Sequence, residues 1–367
     1  MYIPVEHISE TPVPFIAAGL IAVTITVLVL PFIWKIIEHN LELFFLIMGI
    51  TAVTISGLWN SDLILEALKA PVIIGSIPIG IFQVVLVFGI LALYFNDRFT
   101  QFVKWLVTKL GMRNFVFLMI LVFGLLSSFF SVIVTAVLIS EIICCLPLQK
   151  SQVTKLTVVT CFSCGLGAVL TPLGEPLSTI LVQKLSGPPY YAGFFFPFEH
   201  FYLYIIPGVI ALAFLGAIWL RKTDPGNTLV CEAPQPEKIR AVILRAIKVY
   251  LFVAALVLLG EGLKPLVIWY LIKIPAFALF WINSISAVLD NATLTAVEVS
   301  GSMSLSKIIS IVMGLLIAGG MLIPGNIPNI VAAGRLKIGM KEWAKVGVPI
   351  GIILLVIYFV VLIPVIF

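Results

Sequence analysis

Two stretches of this sequence, SSFFSVIVTAVLIS at residues 127–140 and AVLDNATLTAVEVS at residues 287–300, align without a gap. Both contain Thr-Ala-Val followed by a serine three residues after the valine. Each lies within a long apolar run and interrupts it with small and polar residues, and the second also carries an aspartate, Asp290. Because similarity within one chain indicates repeated structure, the pair predicts two related halves that are interrupted at the same place.

The composition indicates that these stretches belong to a membrane protein. Of the 367 residues, 61% are hydrophobic and 11% are charged, and the mean hydropathy is +1.20. A soluble chain has about 25% charged residues, and several apolar runs here reach the roughly 20 residues that cross a bilayer as a helix. The sequence therefore predicts an all-α polytopic membrane protein surrounded by the lipid bilayer.

Several other function classes lack their sequence signatures. The chain has no Walker A sequence, no spacing typical of a catalytic triad and no metal-ligand cluster. Its net charge of +5 comes from basic loops and does not form one basic face. We therefore predict a protein that is not an enzyme, needs no cofactor and does not bind nucleic acid, which leaves transport driven by an ion gradient.

The apolar segments are 12–34, 41–58, 71–95, 114–148, 151–183, 201–221, 241–262, 265–303, 305–335 and 343–366. Segments 114–148 and 265–303 are too long for one crossing and too short for two, which is typical of re-entrant helical hairpins. Non-helical backbone at membrane depth is tolerated where it is buried in protein or lines a wet cavity. We therefore predict about eight full transmembrane helices, two of them broken, and two re-entrant hairpins.

The basic residues support this topology. With both the N-terminus and the C-terminus outside, 17 of the 22 Lys and Arg residues fall on the cytoplasmic side. The positive-inside rule predicts such a bias, and it would weaken if either hairpin were a full crossing. The five residues on the predicted outer side are Lys69, Lys184, Lys264, Lys273 and Lys307.

The predicted domains follow from this repeat. Residues 1–70 form N-terminal accessory helices, residues 71–221 the first repeat, residues 222–240 a polar cytoplasmic linker and residues 241–367 the second repeat. Each repeat reads as a helix, a hairpin, a broken helix and a helix, in opposite orientations. Inverted repeats with discontinuous helices are the architecture of secondary transporters, whose site lies near the midplane.

The predicted broken helices, 151–183 and 305–335, carry related proline motifs. GAVLTPLGEP at 167–176 aligns with GGMLIPGNIP at 319–328, so that Pro172 and Pro176 match Pro324 and Pro328. Prolines remove backbone donors, and the unwound chain frees carbonyl oxygens that can coordinate a cation. The first motif adds the carboxylate of Glu175, and the second adds the amides of Asn326 and Asn329.

Asp290 is the strongest single candidate for a functional residue. A carboxylate at hydrocarbon depth costs about 2.5–3.5 kcal/mol on insertion scales, and we expect it to face a cavity and to have a function. Ser286, Asn291 and Thr293 can supply neutral oxygen atoms beside it. Partial burial should favour its protonated form, so that it can exchange a proton for Na⁺ or another alkali cation.

Three other acids rank lower. Glu141 and Glu261 lie near the ends of apolar segments, where exposure at the membrane interface is the simpler interpretation. Glu298 follows Asp290 by two helical turns and is open to both a functional role and a position near the outer surface. Their participation remains open at this point.

Two motifs carry a resemblance to known transporters. SAVLDNATLTA at 286–296 resembles the hairpin motif of NhaD-type Na⁺/H⁺ antiporters and of the arsenite permease group, and TPLGEPLST at 171–179 resembles their TPIG-type motif. Both groups belong to the ion transporter superfamily. The short length and the Gly-Glu-Pro variant resemble most closely a prokaryotic family of predicted cation transporters. The resemblance implies a homodimer in a prokaryotic cytoplasmic membrane, with a scaffold part and a moving transport part.

The same resemblance implies a set of ion-binding residues. They are Ser286, Asp290, Asn291 and Thr293 in the second hairpin, Thr171, Gly174 and Glu175 in the first break, and Asn326 and Asn329 in the second. The chain departs from the NhaD-type pattern in the first hairpin. Where those antiporters carry acids, it has Ser127, Ser128 and Ser131, of which Ser128 and Ser131 remain candidate ligands.

The expected function is a cation/proton antiporter that exports Na⁺ or Li⁺ by alternating access. Asp290 and Glu175 would bind the proton and, transiently, the alkali cation. One alternative is a Na⁺-coupled symporter of a small anion such as a dicarboxylate. Another is a channel or a membrane scaffold without transport activity.

Overall fold

The structure is a computed structural model. It describes residues 11–34, 36–37, 40–72, 81–130, 132–220, 239–271, 274–283, 287, 291–299, 301 and 303–366. Within these ranges every regular element is helical, in agreement with the predicted all-α class. The predicted site residues Ser131, Ser286 and Asp290 lie outside the described residues.

Fifteen helices are referred to below. The earlier ones are α1 (Pro14–Ile33), α2 (Leu41–Ser56), α3 (Ser61–Lys69), α4 (Ile81–Leu110), α5 (Met112–Leu126), α6 (Val132–Cys144), α7 (Lys150–Ala168), α8 (Pro176–Lys184) and α9 (Phe196–Trp219). The later ones are α10 (Ile239–Leu266), α11 (Ala276–Ile282), α12 (Asn291–Glu298), α13 (Leu305–Gly319), α14 (Ile327–Leu336) and α15 (Met340–Ile366). A π-helical turn occupies Val267–Leu271 and a 3-10 turn occupies Ile323–Gly325.

Four helical stretches in the described part are long and apolar enough to cross a membrane: Pro14–Pro31, Phe196–Trp219, Val242–Tyr270 and Met340–Pro364. Their outward faces expose large apolar side chains such as Phe15, Phe214 and Val360, as contact with lipid requires. These are the features of an integral membrane protein. The count of eight full crossings and the inverted repeat remain predictions.

Helices α7 and α13 form the centre of the molecule. Every residue of α7 from Leu156 to Ala168 and every residue of α13 from Ile308 to Gly319 is buried. A helix that is buried all round must satisfy its own polar groups. In α7 the hydroxyls of Thr157 and Thr160 do so by donating to carbonyl oxygens one turn earlier, at 2.7 and 2.6 Å.

The remaining helices pack around this pair in two similar groups. Helix α7 contacts α5 and α9, and α13 contacts α11 and α15. Helix α6 contacts α14, whereas α12 contacts α8. The helix before α7 therefore contacts the helix after α13, and the helix before α13 contacts the helix after α7.

The N-terminal helices are attached to α10 through a close helix contact. Gly49 on α2 faces Ala255 and Leu258, and a Cβ at Gly262 would lie 2.6 Å from the backbone nitrogen of Val53. Small residues let membrane helices approach closely, because there is little hydrophobic drive between helices in lipid. Helix α2 thus packs closely against α10 through glycines at the contact.

Two helices extend beyond the apolar segments of the sequence. Helix α4 continues to Leu110 through residues 96–101, whereas the apolar segment ends at residue 95. It does so because residues 91–110 contain no glycine or proline, and the left-handed Gly111 (φ 75°) then ends the helix. Helix α10 likewise runs past residue 262 and through Pro265, and ends in the π-helical turn.

We predict that Gly262→Ala destabilises the protein, because its new methyl group would force α2 and α10 apart. Overpacking of this kind costs about 1–3 kcal/mol, and it should lower the thermal unfolding temperature of the protein in detergent.

The matched control is Gly334→Ala on α14, where a Cβ would meet no atom within 4 Å. There the higher helix propensity of alanine should preserve or raise the unfolding temperature. Equal unfolding temperatures for the two variants would contradict the close contact between α2 and α10.

Candidate functional site

The first break, residues 169–175, separates α7 from α8. Its chain turns back on itself, and the N–H of Gly174 donates to the carbonyl of Thr171 within the break at 3.2 Å. The hydroxyl of Ser178 donates to the same carbonyl at 2.8 Å. Gly174 lies so close to the carbonyl of Ala168 that a side chain could not be accommodated there. Glycine is required at this position by the close approach of the backbone.

The second break, residues 320–326, repeats this construction between α13 and α14. The N–H of Gly325 donates to the carbonyl of Leu322 at 3.3 Å, and the amide nitrogen of Asn329 donates to it at 2.8 Å. Gly325 again lies against the carbonyl of the last residue of the preceding helix, Gly319. The two breaks therefore use the same backbone bond, the same glycine contact and a side-chain donor at the same position.

The residues that immediately precede the two following helices are equivalent as well. Glu175 precedes α8 with φ −153° and ψ 159°, and Asn326 precedes α14 with φ −153° and ψ 149°. The structural match pairs Glu175 with Asn326, so the sequence alignment that pairs the prolines is wrong by one residue. Pro176 is the first residue of α8 and Pro328 the second of α14. Both positions accept proline because neither N–H has a partner within the helix.

The turn between α5 and α6 is bonded to the first break. The hydroxyl of Thr171 donates to the carbonyl of Ser128 in a short hydrogen bond, and the N–H of Val132 donates to the carbonyl of Gly174 at 2.8 Å. The hydroxyls of Ser127 and Ser128 donate to backbone carbonyls nearby, at 2.6 and 2.7 Å. Thr171, Gly174 and Ser128 are thus brought together as predicted site residues, and the Ser128 side chain caps its own helix.

Asn291 and Asn329 lie together at the second break. Asn291 is the first residue of α12, is 4% exposed, and packs its amide against Gly319. Asn329 is fully buried and its amide nitrogen also donates to the carbonyl of Gly319 at 2.8 Å. Within the described residues, both amide atoms of Asn291 and the amide oxygen of Asn329 have no hydrogen-bond partner. Buried amides are normally satisfied, so these atoms have hydrogen-bonding capacity that a ligand could use.

Helix α7 brings the second break close to the first. The amide nitrogen of Asn326 packs against Gly165, and Gly320 packs against the ring of Phe162. The thiol of Cys161 donates to the carbonyl of Pro328 at 3.7 Å. The second break therefore lies along the last turns of α7, immediately before the first break begins. The predicted site residue Thr293 lies on α12, two residues after Asn291. Its side chain is outside the part of the chain that the structure describes.

The chemistry of this region favours a hard cation. Glu175 is 5% exposed, and neither break contains Lys or Arg. Carboxylate, amide and backbone carbonyl oxygens are the ligands that such cations take. In the described residues there is also no group of three or more His, Cys, Asp and Glu that could hold a transition metal.

Two of the three lower-ranked acids form ion pairs. Glu141 on α6 receives two hydrogen bonds from Arg335 on α14, at 2.6 and 2.9 Å. Its side chain is only 14% exposed, so the expected interfacial exposure is wrong. Glu261 pairs with the buried Lys264 at 3.0 Å. Burial raises the pKa of Glu66 on α3 above its ordinary value, and the nearby negative charge of Glu261 contributes a smaller part of this increase.

The third acid, Glu298, was underrated by sequence reasoning. It is 1% exposed, and the amide nitrogen of Asn283 donates to its Oε2 at 3.0 Å. The signal that could have found it is the spacing of Asn291, Thr295 and Glu298, which places all three on one face of a helix. Glu298 is therefore buried inside the protein and is not exposed to solvent.

Comparison with known proteins gives the family. A family model described as "Protein of unknown function (DUF1646)" matches residues 17–365. The chain belongs to this family. None of the curated proteins matches it significantly.

We predict that Glu141→Gln lowers the thermal unfolding temperature by several degrees, because the bidentate pair joins α6 to α14 and would leave Arg335 without its charge partner. Hydrogen bonds to charged groups contribute about 1.5–3 kcal/mol.

The control is Arg335→Gln in the same Glu141→Gln background, which removes the remaining positive charge and should recover part of the loss. Simple additivity of the two single changes in this double-mutant cycle would contradict the coupling.

Proposed function

We propose that this protein is a secondary transporter that exchanges Na⁺ or Li⁺ for protons by alternating access. The observation that carries the proposal is the pair of helix breaks built with the same internal bonds. One presents a buried carboxylate, Glu175, and the other presents an amide, Asn326, at the equivalent position. Unwound helices of this kind are where secondary transporters bind their ions.

The packing supports an inverted repeat of residues 71–221 and 241–367. Contacts of α7 with α5 and α9 correspond to those of α13 with α11 and α15, and the crossing of α6 onto α14 corresponds to that of α12 onto α8. Reciprocal contacts of this kind are what a two-fold axis between the halves would produce. Under this proposal, residues 1–70 are accessory and residues 222–240 link the halves on the cytoplasmic side.

The asymmetry between the breaks supports a cation over an anion as the transported species. An alkali cation would use the oxygen atoms of Glu175, Asn291, Asn326 and Asn329, together with Asp290 of the second hairpin. Asp290 and Glu175 would exchange a proton for this cation. Release of the cation on the other side would then accompany reprotonation of the two acids.

The alternative is a symporter that couples Na⁺ to a small anion. The favouring observation is that α8 and α14 both begin at the breaks, and helix N-termini attract anions. Residues 169–176 and 320–328 contain no Lys or Arg, which argues against this alternative. A dianion bound there would meet carboxylate and amide oxygens and no basic side chain.

The remaining features of the proposal concern its setting. The excess of Lys and Arg in the predicted cytoplasmic loops supports an orientation with both termini outside. We propose a prokaryotic cytoplasmic membrane because the motifs resemble those of prokaryotic cation transporters. We also propose a homodimer, in which the accessory helices and α10 form the static part and the helices around the breaks move.

The proposal is tested in proteoliposomes that carry a pH gradient and a pH-sensitive dye. Addition of Na⁺ or Li⁺ should dissipate the gradient, whereas choline should not. Glu175→Gln and Asp290→Asn should each slow this response at least tenfold, because neither amide can exchange a proton.

The matched control is Glu199→Gln on α9, an exposed acid away from the breaks, which should leave the response unchanged. If no alkali cation dissipates the gradient and a labelled dicarboxylate accumulates with Na⁺, the antiporter proposal is wrong and the symporter alternative holds.

A further inference from the structure

Helix α12 carries a continuous buried polar face. Asn291, Thr295 and Glu298 follow each other at the spacing of one helix face, with exposures of 4%, 0% and 1%. The hydroxyl of Thr295 donates to the carbonyl of Asn291 at 2.8 Å. The face begins at the second break, against Gly319, and ends at a carboxyl group about 10 Å further along the helix.

Among the described residues, Glu298 is hydrogen-bonded to a neutral donor and forms no ion pair. Its Oε2 accepts a hydrogen bond from Asn283, whose amide nitrogen also lies 3.5 Å from the carbonyl of Ile311 on α13. Its Oε1 is buried and has no hydrogen-bond partner within the described residues. A buried acid with one neutral donor is well suited to hold a proton, because its free oxygen can carry the O–H without losing a bond.

The charged groups on the neighbouring helices do not neutralise this acid. Helix α12 contacts α8, α10, α13 and the π-helical turn. The ionisable side chains on these elements toward the same end are Lys184, Glu261, Lys264, Tyr270 and Lys307. Glu261 and Lys264 pair with each other, and among the described ion pairs none includes Glu298. Within the described residues, no ion pair compensates an ionised Glu298, and the amide of Asn283 gives it a neutral donor only.

We propose that Glu298 is a proton-binding site of the exchange cycle, separate from the oxygen atoms that bind the cation at the breaks. The proposal rests on the proposed cation/proton exchange and deepens it. In the proton-loaded state the O–H bond is on Glu298. When a cation enters at the second break, its charge stabilises the carboxylate through the low-dielectric interior, and the proton leaves to water on the open side.

The second break and Glu298 are mechanically linked through one short helix. A movement of α12 that changes access to Asn291 also moves Glu298 relative to Asn283, which is anchored on α11 against α13. The close approach of Gly314 to the carbonyl of Phe280 fixes α11 in place. Cation occupancy and proton occupancy are therefore coupled by the position of α12.

The test compares two transport modes of Glu298→Gln in the same proteoliposomes. At saturating Na⁺, exchange of labelled Na⁺ for unlabelled Na⁺ needs no proton and should stay within twofold of the wild-type rate. Dissipation of the pH gradient by Na⁺ should fall at least tenfold. Unchanged dissipation overturns the proposal, and so does loss of both modes in a folded variant. A wild-type protein without any Na⁺ response would instead contradict the proposed function itself. Glu199→Gln is the control acid and should leave both transport modes unchanged.

Two measurements keep the proposal testable if Glu298→Gln does not fold. Asn283→Ala removes the donor that stabilises the ionised form, so Glu298 should hold its proton to higher pH and the pH profile of exchange should shift upward. Infrared spectroscopy of the wild-type protein should show a protonated-carboxyl C=O band that Asn283→Ala retains to higher pH. An unchanged pH profile, or no such shift of the band, overturns the assignment.

Discussion

The whole arrangement depends on one close backbone contact, made twice. Gly174 lies on the carbonyl of Ala168, and Gly325 lies on that of Gly319. Each contact lets the chain turn back over the end of a fully buried helix and restart a second helix in the protein interior. Broken helices at membrane depth require partners for the freed backbone groups. Ser178 and Asn329 supply them, by donating to the carbonyls of Thr171 and Leu322.

In both breaks, the residue immediately before the new helix has a polar side chain. A carboxylate there, as at Glu175, adds a negative charge, whereas an amide, as at Asn326, adds a neutral oxygen and caps its own helix by accepting from Ile327 at 2.8 Å. In the proposed cation site, these two similar scaffolds would supply one charged and one neutral side. Asn291, whose amide lies against Gly319 without a partner among the described residues, would complete the neutral side.

The sequence predicted the class of fold because hydrophobicity and the positions of Gly and Pro leave few alternatives for a chain in lipid. It predicted the interruptions at TPLGEP and IPGNIPN because proline lacks a donor. It misplaced the alignment of those motifs by one residue, since proline suits both of the first two positions of a helix. It also underrated Glu141 and Glu298. The partner of Glu141, Arg335, is distant in sequence, and such a pairing leaves no local pattern. Glu298 did have a local signal, because its spacing from Asn291 and Thr295 places all three on one helix face.

The central claim is that the two breaks form a cation site, and the most direct test is the thermal stability of the purified protein in NaCl against choline chloride at equal ionic strength. A ligand that binds the folded state raises the unfolding temperature as its concentration exceeds Kd. The account predicts that Na⁺ stabilises the wild-type protein and that Asn291→Ala loses this effect while remaining folded. Identical unfolding curves in the two salts would contradict it.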